Sequence, residues 1–159
     1  MEFTKRGLEY WDIAWFAIDK TGAIGYFTTG LYGGLPDSII ESKQDWDNVC
    51  DFFIDEFTEN TVGEFDLNCC DKFTLVGDNS IESKRLAHEE YLEMSRKGLY
   101  GYDGYHTEAN YGNYFRVSYP TEPLKLDKLT IPIQNILKKT QIKNVDFRQG
   151  KDIKFPSKI

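Results

Sequence analysis

The sequence predicts an α+β fold, with one domain over residues 1–159 and a mainly antiparallel sheet packed against two to three helices. Three observations lead there. Strand-like segments cluster toward both ends of the chain with the longest helical patterns between them, and the regular strand–helix alternation of a parallel nucleotide-binding sheet is missing. With 159 residues, 40% of them hydrophobic, including 3 Trp, 10 Tyr and 11 Phe, the chain can bury one core without disulfides. No repeat or low-complexity tract divides it.

Each element has its own local cause. Ile13–Ile18 is a continuous apolar run of strand length, followed by the turn sequence Asp19-Lys20-Thr21-Gly22 and a second run, Ala23–Thr28. This predicts a β-hairpin with Gly22 at positive φ, its first strand lying inside the sheet because both of its faces are apolar. A glycine-rich loop, Thr29–Pro36, leads to a helix start with Asp37 or Ser38 as N-cap. At 100° per residue Ile39, Trp46, Val49, Cys50, Phe53 and Phe57 share one face of that helix. Glu41, Asp45, Asn48, Asp51, Asp55 and Glu59 share the opposite one. Phe52 is the misfit, an aromatic ring inside the acidic stripe.

Phe73–Val76 reads as a short strand, and Ser80 to about Lys97 as a second helix ended by Gly98. Leu99–Tyr102 and Tyr114–Tyr119 form a second hairpin-like pair with a long loop. Ile131–Lys139 fits a short helix, and Val145–Phe147 and Ile153–Phe155 fit closing strands.

The formal net charge is −7 and unevenly spread. Residues 37–66 carry ten acids against Lys43 alone, whereas residues 122–159 carry nine Lys/Arg against four acids. So acidic a segment repels nucleic acid and anionic lipid and attracts cationic partners, and the basic C-terminal block is expected to balance the chain's own acidic face. There is no 18-residue apolar run and no signal-peptide core at Met1–Gly7. Three cysteines, Cys50, Cys69 and Cys70, fit a reduced cytoplasm.

Catalytic and cofactor motifs are weak. His88-Glu89-Glu90-Tyr91 lacks the second His of a zinc-protease helix, its place being taken by Leu92, and Cys69-Cys70 lacks the spacing that wraps a zinc ion. The glycines at 30–34 and 98–104 lack the phosphate-loop ending and read as turns and bulges. No catalytic residue, metal site or cofactor is expected. Asp103-Gly104-Tyr105-His106 is the one place where a carboxylate and a His suggest a hydrolase, though a solvated loop His is the commoner reading. Asn113–Tyr119 resembles a base-stacking strand but lacks the RNA-recognition opening, and the surrounding charge is unfavourable, so no nucleic-acid partner is expected.

Trp15-Phe16-Ala17-Ile18-Asp19-x-x-Gly22, Ile24–Gly30, Leu35-Pro36 before an acidic helix, Gly98–Asp103, Tyr114–Pro120 and Pro123-Leu124 together carry a resemblance over roughly residues 10–135. The chain resembles small bacterial immunity proteins of polymorphic toxin and contact-dependent inhibition systems. The shared motifs are structural, so no catalytic residue carries over. The resemblance implies a cytoplasmic, non-enzymatic antidote that binds a cognate toxin domain, many such toxins being nucleases with basic surfaces.

The expected partner-binding residues are Glu41, Asp45, Asp51, Asp55 and Glu59 for electrostatic steering, with Phe52 as an apolar anchor among them. The alternative is a small-ligand module with a pocket rim of Tyr32, Tyr100, Tyr102 and Tyr105.

Overall fold

A computed structural model describes residues 11–154; Met1–Gly7 and Phe155 lie outside the described residues. Among the described residues seven strands form one mixed sheet: β1 (Ala14–Asp19), β2 (Ile24–Thr28), β3 (Gly63–Phe65), β4 (Tyr100–Gly104), β5 (Asn113–Pro120), β6 (Gln141–Ile142) and β7 (Ile153–Lys154). Their order is β3-β5-β4-β2-β1-β6, with β7 paired to β5. Five helices accompany them among the described residues: α1 (Asp37–Ile40), α2 (Lys43–Cys50), α3 (Ile81–Leu86), α4 (Glu89–Arg96) and α5 (Ile131–Leu137). The α+β class holds.

Among the described residues four of the six strand pairings are antiparallel, as expected, but the sheet is mixed, because β2 pairs with β4, and β1 with β6, in parallel. The chain leaves β2 and returns through α4 to lie beside it in the same direction, a connection that long intervening segments hide from any count of strand–helix alternation. The expected two to three helices are five because both long helical patterns are broken. Ser42, extended at φ −141° and ψ 102°, ends the first turn and caps α2 by accepting from the Asp45 N–H at 3.1 Å. The first turn itself is capped by Pro36, and Asp37 and Ser38 lie inside it.

The β1–β2 hairpin forms as its sequence dictates, with Gly22 at φ +81°. The buried carboxylate of Asp19 holds its turn: one oxygen accepts from Thr21 N, Thr21 Oγ1 and Ala23 N at 2.8–3.0 Å. The other accepts from Phe147 N at 2.8 Å, tying the C-terminal segment to the hairpin. β1 is flanked by β2 along its length and by β6 only at Ile18–Asp19, so most of its outer edge has no strand neighbour among the described residues. There the Trp46 indole N–H donates to the Ala14 carbonyl at 2.7 Å, covering the edge with a side chain.

Ser80 caps α3 and Gly98 ends α4 at φ +95°, as expected, with a break at Ala87–His88 between them. β4 and β5 pair antiparallel and α5 forms at its expected place. Phe73–Val76 is not a strand, and Phe147 begins a 3-10 turn where a closing strand was expected. The unexpected β3 pairs with the end of β5 instead.

Alternation along the strands sends side chains to two cores. Phe16, Ile18, Tyr26, Phe115 and Val117 meet Val49, Phe53, Tyr91, Met94 and Leu137 of the helical layer. Trp15, Phe27, Tyr100, Tyr102 and Tyr114 face the other way and are covered by Leu35, Ile39, Phe147 and Ile153, with Trp15 and Phe27 stacked at 4.2 Å. Cys50 and Cys69 are buried free thiols, and burial pushes the Cys50 thiol up to about 12. Among the described residues no helix is long and apolar enough to cross a membrane.

Candidate functional site

The acidic segment is not one helix face. Beyond Cys50 the chain widens into a π-helical turn, Asp51–Glu56, closed by Phe57 N donating to Phe52 O at 2.7 Å. A π turn steps five residues per hydrogen bond instead of four, so residues five apart come onto one side. Phe52 and Phe57 therefore meet, with centroids 5.5 Å apart, and Phe52 packs edge-on to buried Phe53 at 5.0 Å. The exposed anchor expected at Phe52 is instead half-buried. Lys97 holds the turn by donating to the carbonyls of Phe53 at 2.7 Å and Ile54 at 3.1 Å, a buried cation placed where helix carbonyls lack partners.

The same step brings Asp51 and Glu56 to the wall of a groove of 340 Å³ between this turn and α5. Phe52, Pro132, Ile133 and Ile136 make it apolar, and the two carboxylates make it acidic. Glu56, Ile133 and Ile136 were missed because a 100° step places Glu56 off the stripe and because α5 lies far along the chain. The five-residue spacing Asp51-Phe52…Glu56-Phe57 is the only local signal of the arrangement.

The structure separates the remaining expected residues. Glu41 sits at the α1–α2 break, exposed and without an ion pair among the described residues, as are Asp51, Asp55 and Glu56. Asp45 is bound by Lys139 at 2.6 Å, the one ion pair among the described residues through which the basic C-terminal block reaches the acidic segment. Glu59 lies 3.9 Å from Arg96, whose guanidinium makes its closer pair with Glu89 at 2.8 Å. Most of the negative charge therefore faces solvent.

Of the expected tyrosine rim, Tyr102 is fully buried, Tyr105 donates to Asp152, and Tyr100 lines a cavity. Gly33 closes a turn by donating its N–H to Thr29 O at 2.7 Å, and both Gly33 and Gly104 approach the Thr29 backbone so closely that a Cβ would fall 2.6 and 2.4 Å from Thr29 O.

His106 is partnered. Its Nε2 lies 3.0 Å from Asp103 Oδ2, with His88 Nε2 at 3.5 Å from the same oxygen and Thr28 Oγ1 donating to Oδ1 at 3.1 Å. Thr28 and Asp103 are register partners on the parallel strands β2 and β4, so the sheet itself places this cluster. Burial alone would raise the Asp103 carboxyl, but the hydrogen bonds and charge of His106 and His88 outweigh it and hold the group below its ordinary value. The hydrogen bond to Asp103 correspondingly raises His106. Among the described residues neither imidazole bonds a Ser or Cys side chain; His88 Nδ1 instead lies 2.9 Å from the Lys84 carbonyl. No group of three or more metal-ligating side chains occurs among the described residues.

Comparison of the chain with protein-family models, with curated proteins and with solved structures gave no match.

Proposed function

We propose that this chain is a non-enzymatic binding protein of immunity type, which neutralises a basic toxin domain by receiving part of it in the groove between the π turn and α5. The observation that carries the reading is the pairing of an apolar floor, Phe52, Ile133 and Ile136, with two carboxylates, Asp51 and Glu56, that no cation among the described residues neutralises. An aliphatic or aromatic side chain flanked by Lys or Arg fits such a site. Burial of the apolar part supplies affinity, while Asp55, Glu41 and the groove acids raise the association rate.

The resemblance to immunity proteins points to the same class of partner, and a cytoplasmic place of action goes with it. The His106–Asp103 pair supports a hydrolase less well, because among the described residues no Ser or Cys side chain lies within hydrogen-bond reach of His106.

The test is calorimetry of the full chain with the toxin domain encoded in the adjacent reading frame, over a series of salt concentrations. A 1:1 complex that weakens with salt, and weakens at least tenfold in Asp51→Lys/Glu56→Lys, is the expected result. Unchanged affinity in that variant would remove the groove from the interface, and no complex at all would overturn the reading.

A further inference from the structure

We infer that the chain carries a second, separate site for a small organic anion, in a cavity of 530 Å³ beside the start of β4 and the end of β5. The volume suits a ligand of mononucleotide size. In a protein of net charge −7, this cavity is lined by three cations, Arg116, Lys125 and Arg148, against one carboxylate, Asp146.

Arg116 is immobilised on every side but one. Its Nε donates to the buried Asp66 carboxylate at 2.8 Å, and its Nη1 donates to the carbonyls of Phe147 at 3.0 Å and Arg148 at 3.1 Å. The guanidinium carbon lies 4.6 Å from the Tyr119 ring centroid. Gly150 leaves its backbone open to the same guanidinium, where a Cβ would fall 2.8 Å away. Nη2 alone has no acceptor among the described residues, and the Tyr100 hydroxyl on the cavity wall makes no hydrogen bond to any of them either. Lys125 uses one N–H on Thr21 Oγ1 at 2.9 Å and keeps two, and the exposed side chain of Arg148 reaches the Asp146 carboxylate with one nitrogen, at 3.7 Å.

A rigid guanidinium edge, a hydroxyl without an acceptor among the described residues and two further cations form a donor-rich site with few acceptors. That matches a carboxylate or a phosphate and mismatches a cation or an uncharged polar group. Preorganisation matters here: the Arg116 side chain has already given up its rotamer freedom to the fold, so binding does not have to order it.

NMR titration of the full isotope-labelled chain with AMP, with benzoate and with uncharged adenosine tests this. Saturable shifts at the Arg116 side chain and the Tyr100 ring, with a Kd below ~1 mM for one or both anions and none for adenosine, are expected. AMP alone binding assigns a phosphate, and benzoate alone a carboxylate. Lys125→Ala/Arg148→Ala, which removes only partly exposed groups, is expected to weaken binding at least tenfold, whereas Asp51→Lys/Glu56→Lys leaves it unchanged. No saturation by either anion at ~10 mM, equal binding of adenosine, or unaltered affinity in the Lys125/Arg148 variant would overturn the site.

Discussion

Phe57 N donates to Phe52 O at 2.7 Å, five residues back rather than four, and this one bond decides what the acidic segment presents to solvent. An α-helical step would leave Phe52 among carboxylates in water. The π step turns it onto Phe53 and Phe57, and lines a groove with what remains exposed.

Phe52→Ala is therefore expected to lower folding stability as well as partner affinity. About 1–3 kcal/mol is expected for this half-buried ring, below the usual cost of a fully buried Phe. Ile54→Ala, at an exposed position of the same turn, should stay within about 0.5 kcal/mol. Urea denaturation of both variants checks the difference.

Lys139→Ala removes the only basic side chain from residues 122–154 that pairs with the acidic segment. The pair is largely exposed, so stability should move by less than about 1 kcal/mol. Freeing Asp45 should raise the association rate with a basic partner at low salt and leave it unchanged at high salt, read by stopped-flow mixing.

The Asp103–His106 pair makes stability depend on pH in both directions. Asp103 is held below its ordinary 3.8, so its contribution is present above that value and is lost as pH falls through the lowered one. His106 is raised above 6.5, so its contribution is present below 6.5 and is lost as pH rises through the raised value. Glu90, lifted above 4.5 by burial, adds to the decline as pH rises through its own raised value. Denaturation midpoints from pH 3 to 9 should show, in His106→Asn, a shallower fall above about 6.5 than in the parent chain.

Gly33→Ala and Gly104→Ala should each cost about 1–3 kcal/mol or more, since both new methyl groups collide with the Thr29 backbone, which has no rotamer to yield. Gly30→Ala meets open space and carries only the cost of φ +53°, about 1–2 kcal/mol. Thermal unfolding of the three variants should therefore place Gly30→Ala at or above the other two in stability.

Much of the fold is legible from local pattern. The apolar run Ile13–Ile18 with its Asp-x-x-Gly turn, the cap at Ser80, the stop at Gly98 and the strand Tyr114–Tyr119 all appear where residue chemistry places them. β3 was invisible because Gly63-Glu64-Phe65 is too short to show a period, and it becomes a strand only by pairing with Ser118–Pro120. Phe73–Val76 has strand composition but pairs with no strand among the described residues. Its Phe73 packs instead against His88, with centroids 4.5 Å apart, and its carbonyl accepts from buried Lys84.

The amino-acid order alone determined where the charge lies, which side chains turn inward and which turns the backbone can make, because each depends on neighbours within a few residues. Only the folded chain decided which carboxylates stay unpaired, that Phe52 floors a groove and that Arg116 faces a cavity. Those outcomes depend on partners brought from far along the chain, as Lys139 is to Asp45 across 94 positions, and no local period encodes such a meeting.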